Sequence, residues 1–464
     1  MKRISIVLLV IAALLMVSCT QAAPPPGNGE SSADTQAPGT SPASDPSSNP
    51  VTIVFWDMQG GNADYPVAAE EFAKKITGDH PNITIEYQSI PWAGATEVFA
   101  SAIAAGQGPD FSNGFGFQSF QYYLMGELLS LEPVIENWRA SGVLDNYDPA
   151  LIDYFQIDGV QIGVPTGLEP RLFLYRKDWF DAAGIPAPQT WDDMYQAAQH
   201  FTDPANGVFG LVYPAEGGDG NVLFYSWFAS NNGGIWTADG STTNWVSPEN
   251  IETVEFIRKM RDEGLMPEGM SAYTNAEVIP LLSQDKAAMA IITSGNAAKQ
   301  VADTNDGYGK WALLPAPAGP SANGTNGSIA AMNAYMAYSA TNHPEETLAA
   351  LQWWNENFIT LMSDPGLGVG SVPPRIDWQT SSSYVDSVSD PFLRDMLVSG
   401  EILNSRLLIS PAKNVSNWLV MSAINGEQWG RRLSQAILTT NTPAESLLGE
   451  YQTESEALMR ELAY

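Results

Sequence analysis

Residue types suited to gripping a small molecule gather in five short segments of this 464-residue chain. Trp56-Asp57-Met58-Gln59-Gly60-Gly61 sets an indole beside a carboxylate and an amide. Asn113-Gly114-Phe115-Gly116-Phe117-Gln118 places a ring and an amide among glycines, which let a backbone approach a ligand closely. Gly167-Leu168-Glu169-Pro170-Arg171 offers a carboxylate and a guanidinium, each able to take two adjacent hydrogen-bonding groups at once. Phe224-Tyr225-Ser226-Trp227 leads into Asn231-Asn232-Gly233-Gly234, and Thr293-Ser294-Gly295-Asn296 ends on an amide. Aromatic rings beside planar polar groups in loop-like segments point to non-covalent recognition. Each has a plainer reading. Trp56 can belong to a core, the double glycine to a turn, and Glu169 and Arg171 to a bridge between themselves.

Catalytic patterns are missing. The chain has no GxSxG elbow, no HExxH and no Walker A sequence. His80, His200 and His343 fall in unrelated segments beside Pro81, Phe201 and Pro344. Three histidines and one cysteine argue against a zinc or iron–sulfur centre, so no metal and no cofactor is expected. With 52 acidic residues a glycosidase-like carboxylate pair can always be guessed, but none stands at the ends of repeated barrel strands. The net charge of −31 repels nucleic acid and anionic headgroups, and its plainest reading is solubility.

The elements that would position these segments are legible. A β-rich run at 51–56, a helix over 66–76, a strand at 83–87, a helix over 96–105 and a short strand from 109 alternate as in an α/β layer with parallel strands. About 410 residues exceed what one hydrophobic core normally serves, so two lobes are expected. The pair Trp353-Trp354 sits in a helical run and reads as packing. Lys2 and Arg3 precede an apolar run at 6–15 that is too short to span a bilayer, which reads as an export signal. Ser18-Cys19 ends it in a way that resembles a bacterial lipoprotein signal, implying lipid on Cys19. Residues 20–50 are rich in Pro, Ser, Gly and Ala and lack aromatic residues, Leu, Ile and Val. Such a segment reads as a disordered tether with a reach of roughly 30 Å.

Further signposts carry a resemblance. Pro81-Asn82-Ile83-Thr84-Ile85-Glu86-Tyr87, Ala102-Ile103-Ala104-Ala105-Gly106-Gln107-Gly108-Pro109-Asp110 and Gly126-Glu127-Leu128-Leu129-Ser130-Leu131 come first. Gly159-Val160-Gln161-Ile162-Gly163-Val164-Pro165, Leu174-Tyr175-Arg176-Lys177-Asp178-Trp179-Phe180 and Asp285-Lys286-Ala287-Ala288-Met289-Ala290 follow in order. The set resembles the family 1 extracellular solute-binding proteins, the maltose-binding type of bacterial ABC importer component. Departures are Arg176, where the family usually has Asn, and Asn296, where it often has a stacking Trp.

The resemblance implies an α/β fold of two lobes joined by a multi-crossing hinge, with the ligand cleft between them, of the type II periplasmic binding protein kind. By analogy a signal peptide spans 1–18 and the lipidated tether 19–50. The N-terminal lobe takes 51–165 with 318–372, and the C-terminal lobe 166–317 with 373–464. The ligand would be a sugar, probed by Trp56, Asp57, Gln59, Phe117, Gln118, Glu169, Arg171, Asn296, Ser328, Arg375 and Trp418, with Tyr225 and Trp227 competing for one stacking role. Trp227 and Glu169 are the first choices for substitution. The implied partners are a carbohydrate and ABC permease subunits, with membrane contact through lipid on Cys19, no nucleic acid and a monomeric state. The implied location is the outer face of the cytoplasmic membrane. A carbohydrate-binding adhesin or a carbohydrate-active enzyme without a transporter is the alternative.

Overall fold

The computed structural model describes residues 49–58, 63–91, 95–237, 240–292, 300–304, 307–325, 328–364, 366–367, 371–388, 394, 406–407 and 415–462. Cys19 and nearly all of the expected leader and tether lie outside the described residues.

Strand β1, Val51–Met58, is rich in β-branched and aromatic residues, and buries alternate side chains along most of its length. It pairs in parallel with β2, Ile83–Ile90, from Val51↔Ile83 to Met58↔Ile90, and with β3, Phe111–Phe115. Parallel neighbours need long crossovers, and the helices Tyr65–Ala73 and Ala95–Ala104 supply them. The expected strand–helix alternation is present. A short hairpin, β4 (Gln156–Ile157) and β5 (Val160–Gln161), precedes β6, Val164–Pro170. The later strands are β7, Leu172–Tyr175, β8, Phe209–Val212, β9, Ala287–Ile292, β10, Ala312–Leu314, β11, Ile329–Ala337, and β12, Arg406–Leu407.

These strands form two main sheets. In the first, β11 pairs antiparallel with β3 and with β6, and at its start parallel with β12. In the second, the order is β10-β7-β9-β8, with β8 and β9 parallel and β7 antiparallel to both β9 and β10. Directions then follow. Strands β1, β2, β3 and β6 all finish at the edge where β11 begins. Strands β8, β9 and β10 all finish at the edge where β7 begins. Because β6 ends at Pro170 and β7 starts at Leu172, the carboxyl edges of both sheets meet at Arg171.

The expected boundary at 165–166 lies inside β6, since pairing with β11 continues to Pro170. On the return path, Ala318, Gly319 and Thr325 still donate backbone hydrogen bonds to Gln189 and Ser230, so the chain re-enters the first sheet only near Ile329. Val372 exchanges two backbone bonds of 2.8 Å with Leu168. Strand β12 joins the first sheet although it falls in 373–464.

Each sheet has an aromatic core. On the first, Phe55 stacks on Phe111 with centroids 4.2 Å apart and meets Trp354 at 4.6 Å. Trp353 and Trp354 pack against Phe72, as their helical run suggests. Their indole N–H groups donate to Asp79 and to the Tyr335 hydroxyl. On the second, Trp227 meets Trp191, Tyr213 and Phe256.

Candidate functional site

Ligands of open α/β sheets settle outside the carboxyl ends of the strands. Here that edge is shared by the two sheets, and Glu169, Arg171 and Ser328 stand on it. Glu169 faces Ala331 across the β6–β11 ladder. The Arg171 backbone N–H donates to the Ile329 carbonyl at 2.9 Å, so the crossing is hydrogen-bonded to the start of β11. Its guanidinium Nη1 donates to the Glu169 carbonyl oxygen at 3.1 Å. Arg171 is only 5% exposed and Glu169 is partly buried.

The electrostatics of this pair are unusual. Burial pushes the Glu169 carboxyl up; the guanidinium beside it pulls it back, and the Asp219 charge adds to the rise. Burial likewise pulls Arg171 down against the favourable fields of Glu169 and Asp219. In both groups burial works against the charged form. Asp219 was not anticipated. It lies in the first turn of the Gly217–Ser230 helix, and its Oδ2 accepts from Asn275 Nδ2 at 2.8 Å. The available signal was the run Gly217-Gly218-Asp219-Gly220 shortly after a strand.

The remaining candidates divide. Trp56 is partly exposed and rests edge-on against Phe99, 5.3 Å between centroids. Phe117 is partly exposed and stacks on Phe115. Gln59 and Asn296 lie outside the described residues, as does the side chain of Trp418, whose helix is Val415–Gly426.

Others are held by the fold. Asp57 is 1% exposed, and accepts from Tyr65 (2.8 Å), Tyr87 (3.3 Å) and Asn113 (3.0 Å), so it ties β1 to its neighbours rather than presenting a carboxylate to solvent. Gln118 is fully buried; its Oε1 accepts from the Phe115 N–H and its Nε2 donates to Tyr122. A Cβ on Gly114 would stand 2.7 Å from Gln118 Oε1, and one on Gly116 would stand 2.6 Å from the Met332 carbonyl. Those glycines serve internal packing. Tyr225 is 2% exposed and lies against Gly430 of the Trp429–Thr439 helix. Trp227 is equally buried, in the aromatic cluster described above, and takes a core role in place of a stacking one. Ser328 donates to Ser226 Oγ at 3.1 Å, joining the start of β11 to the Gly217–Ser230 helix. Arg375 is engaged by Asp377 through Nε and Nη2 and lies over Trp378.

Asp57 carries a pH signature. Burial, only partly offset by its three donors, raises its carboxyl from 3.8 to about 6. The folded chain therefore retains a proton that the unfolded chain releases between those values. This contribution to stability is present in full below the unfolded pKa and is lost as pH rises through about 6. That difference corresponds to about 3 kcal/mol. Relative to the wild type, Asp57→Asn is expected to gain about that much stability as pH climbs across the window, read by denaturant unfolding. A flat difference would show that the carboxyl is already ionised below it.

Among the described residues no helix is long and apolar enough to cross a membrane, and no cluster of ligating side chains could hold a metal ion.

Two open α/β sheets whose carboxyl edges meet where β6 passes into β7 define a cleft-type binding protein. The family model for bacterial extracellular solute-binding proteins matches residues 59–357, more than half of the chain, and the chain belongs to that family. Its structure is similar to a sugar transporter from Arthrobacter chlorophenolicus A6 with bound laminaribiose, with 25% identity, 88% of this chain and 99% of that chain covered, and a TM-score of 0.72. It shares its fold with an ABC substrate-binding protein from Listeria monocytogenes in complex with cycloalternan, at 19% identity, 89% and 100% coverage and a TM-score of 0.69. In sequence it is 24% identical over 210 residues to an arabinooligosaccharide-binding protein of Halalkalibacterium halodurans, 44% of each chain.

Proposed function

We propose that this protein captures a carbohydrate at the meeting of its two sheets and delivers it to the permease of an ABC importer. The observation that carries the reading is the β6–β7 crossing, where the carboxyl edges of both sheets meet and Arg171, 5% exposed, donates to the Glu169 carbonyl oxygen. The family match and the sugar-bound neighbours support it. The proposed contact set is Glu169, Arg171 and Asp219, with Trp56 and Phe117 as apolar faces and Gln59, Asn296 and Trp418 as further members. The two sheets head the two lobes, and the protein acts as a monomer that binds without chemistry.

A ligand that binds only the folded state raises apparent stability, by about 2.7 kcal/mol at a hundredfold excess over Kd. Thermal unfolding against mono-, di- and oligosaccharides, laminaribiose first, is expected to show such a rise. A panel without one would overturn the sugar reading.

The lipid anchor on Cys19 places the protein on the outer face of the cytoplasmic membrane. Cys19→Ser is expected to move it from the membrane fraction to the soluble or secreted one. Retention in the membrane without lipid would count against the anchor.

A further inference from the structure

We propose that Asn333 and Ser371 are further ligand contacts, the polar part of a row across the first sheet that seats a saccharide of two or more rings; this rests on the sugar-binding reading above.

Residues paired across a ladder share a face of the sheet. Asn333 of β11 pairs with Phe115 of β3 on one side and with Gly167 of β6 on the other, so the three form one row. It is the last row of β3, at the carboxyl edge of the sheet. One row deeper on the same face, Tyr335 pairs with Asn113 and is fully buried. Its hydroxyl accepts from the Trp354 indole, and its ring meets Phe358 edge-on. The cover ends with that row, since Phe115 and Asn333 are partly exposed.

Gly167 leaves a gap in the row, and a later pass of the chain fills it. A Cβ on Gly167 would stand 2.8 Å from Ser371 Oγ and 2.9 Å from Ser371 Cβ. The Ser371 side chain therefore occupies the face of β6 that Glu169, two residues on, also uses. The paired backbone bonds between Leu168 and Val372 fix this placement, holding β6 between β11 on one edge and Val372 on the other. Ser371 is partly exposed. Among the described residues neither the Asn333 amide nor the Ser371 hydroxyl has a hydrogen-bond partner, unlike the engaged side chains of Asp57 and Gln118.

The stacked rings of Phe115 and Phe117 give the row an apolar end. An amide and a hydroxyl each donate and accept, so both suit a sugar hydroxyl in either role. From β3 to β6 the row covers two strand spacings, about 10 Å. That is the length of a disaccharide and exceeds that of one ring. A two-ring ligand laid across the strands rests on the phenylalanines at one end and meets Asn333 and Ser371 towards the other, where Glu169 borders it.

The test titrates the protein calorimetrically with glucose, galactose, mannose and arabinose and with laminaribiose, cellobiose, galactobiose, mannobiose and arabinobiose. For any sugar with a binding member, the disaccharide is expected to bind at least about thirtyfold tighter than its monosaccharide, the gain from one more ring face and its hydroxyls. Ser371→Ala keeps the Cβ over Gly167 and removes only the hydroxyl. It and Asn333→Ala should each weaken the bound disaccharide about three- to tenfold, with the melting temperature of the ligand-free protein unmoved. A monosaccharide bound as tightly as its disaccharide overturns the two-ring row while sugar binding stands. Variants that melt earlier yet bind the disaccharide unchanged overturn the contact role and leave Asn333 and Ser371 as packing. If no sugar of the wider panel binds, the sugar reading fails and the row falls with it.

Discussion

Trp227→Ala is expected to lower the unfolding free energy of the ligand-free protein by about 3–5 kcal/mol, the cost of removing a fully buried indole from a packed cluster. Trp227 is 2% exposed and lies 5.5 Å from Trp191, 5.8 Å from Tyr213 and 6.2 Å from Phe256, between ring centroids. Truncation removes contacts with two helices and with the segment after β8 at once. The folded fraction that survives should bind ligand with little change, since independent sites couple by no more than about 0.5 kcal/mol, roughly twofold. Denaturant unfolding and calorimetry on one preparation decide the matter. Unchanged stability with strongly weakened binding would return Trp227 to the ligand site.

Glu169→Gln should show the reverse pattern. Hydrogen bonds to a charged group contribute about 1.5–3 kcal/mol, which corresponds to roughly tenfold to over a hundredfold in affinity. The ligand-free fold should tolerate the change, because burial already disfavours the ionised carboxyl there. Glutamine keeps the side-chain shape, so a loss of binding reports the charge and not a cavity. If stability drops while affinity holds, Glu169 is half of a structural bridge with Arg171 and leaves the contact set.

These expectations differ from the sequence reading in an instructive way. The alternation of β1, helix, β2, helix and β3 was legible because periodicity and turn residues are local properties. Trp353 and Trp354 were legible as packing for the same reason. What local pattern could not separate was a polar residue facing a ligand from one facing its own fold. Asp57 and Gln118 have suitable chemistry at suitable turns. Their partners Tyr87 and Asn113 for the first, and Tyr122 for the second, occupy them in three dimensions. Trp227 and Tyr225 were ambiguous because a buried helix shows aromatic residues on every face, and the Gly217–Ser230 helix is buried nearly all round. Asp219 escaped because its importance comes from Glu169 and Arg171, some fifty residues away in the chain, at the far end of another strand.

The placement of β11 has a consequence for how the chain is made. Its first-sheet partner β3 is more than two hundred residues earlier, as the Ser112–Tyr338 hydroxyl contact, 226 positions apart, illustrates. Pairings of such separation close late, because the entropy of the intervening loop must be overcome before contacts offset it. The first sheet therefore stays open until most of the polypeptide has been synthesised. Under the export proposed above, that delay keeps the newly made chain threadable, so translocation can outrun folding and the two sheets first meet outside the cell.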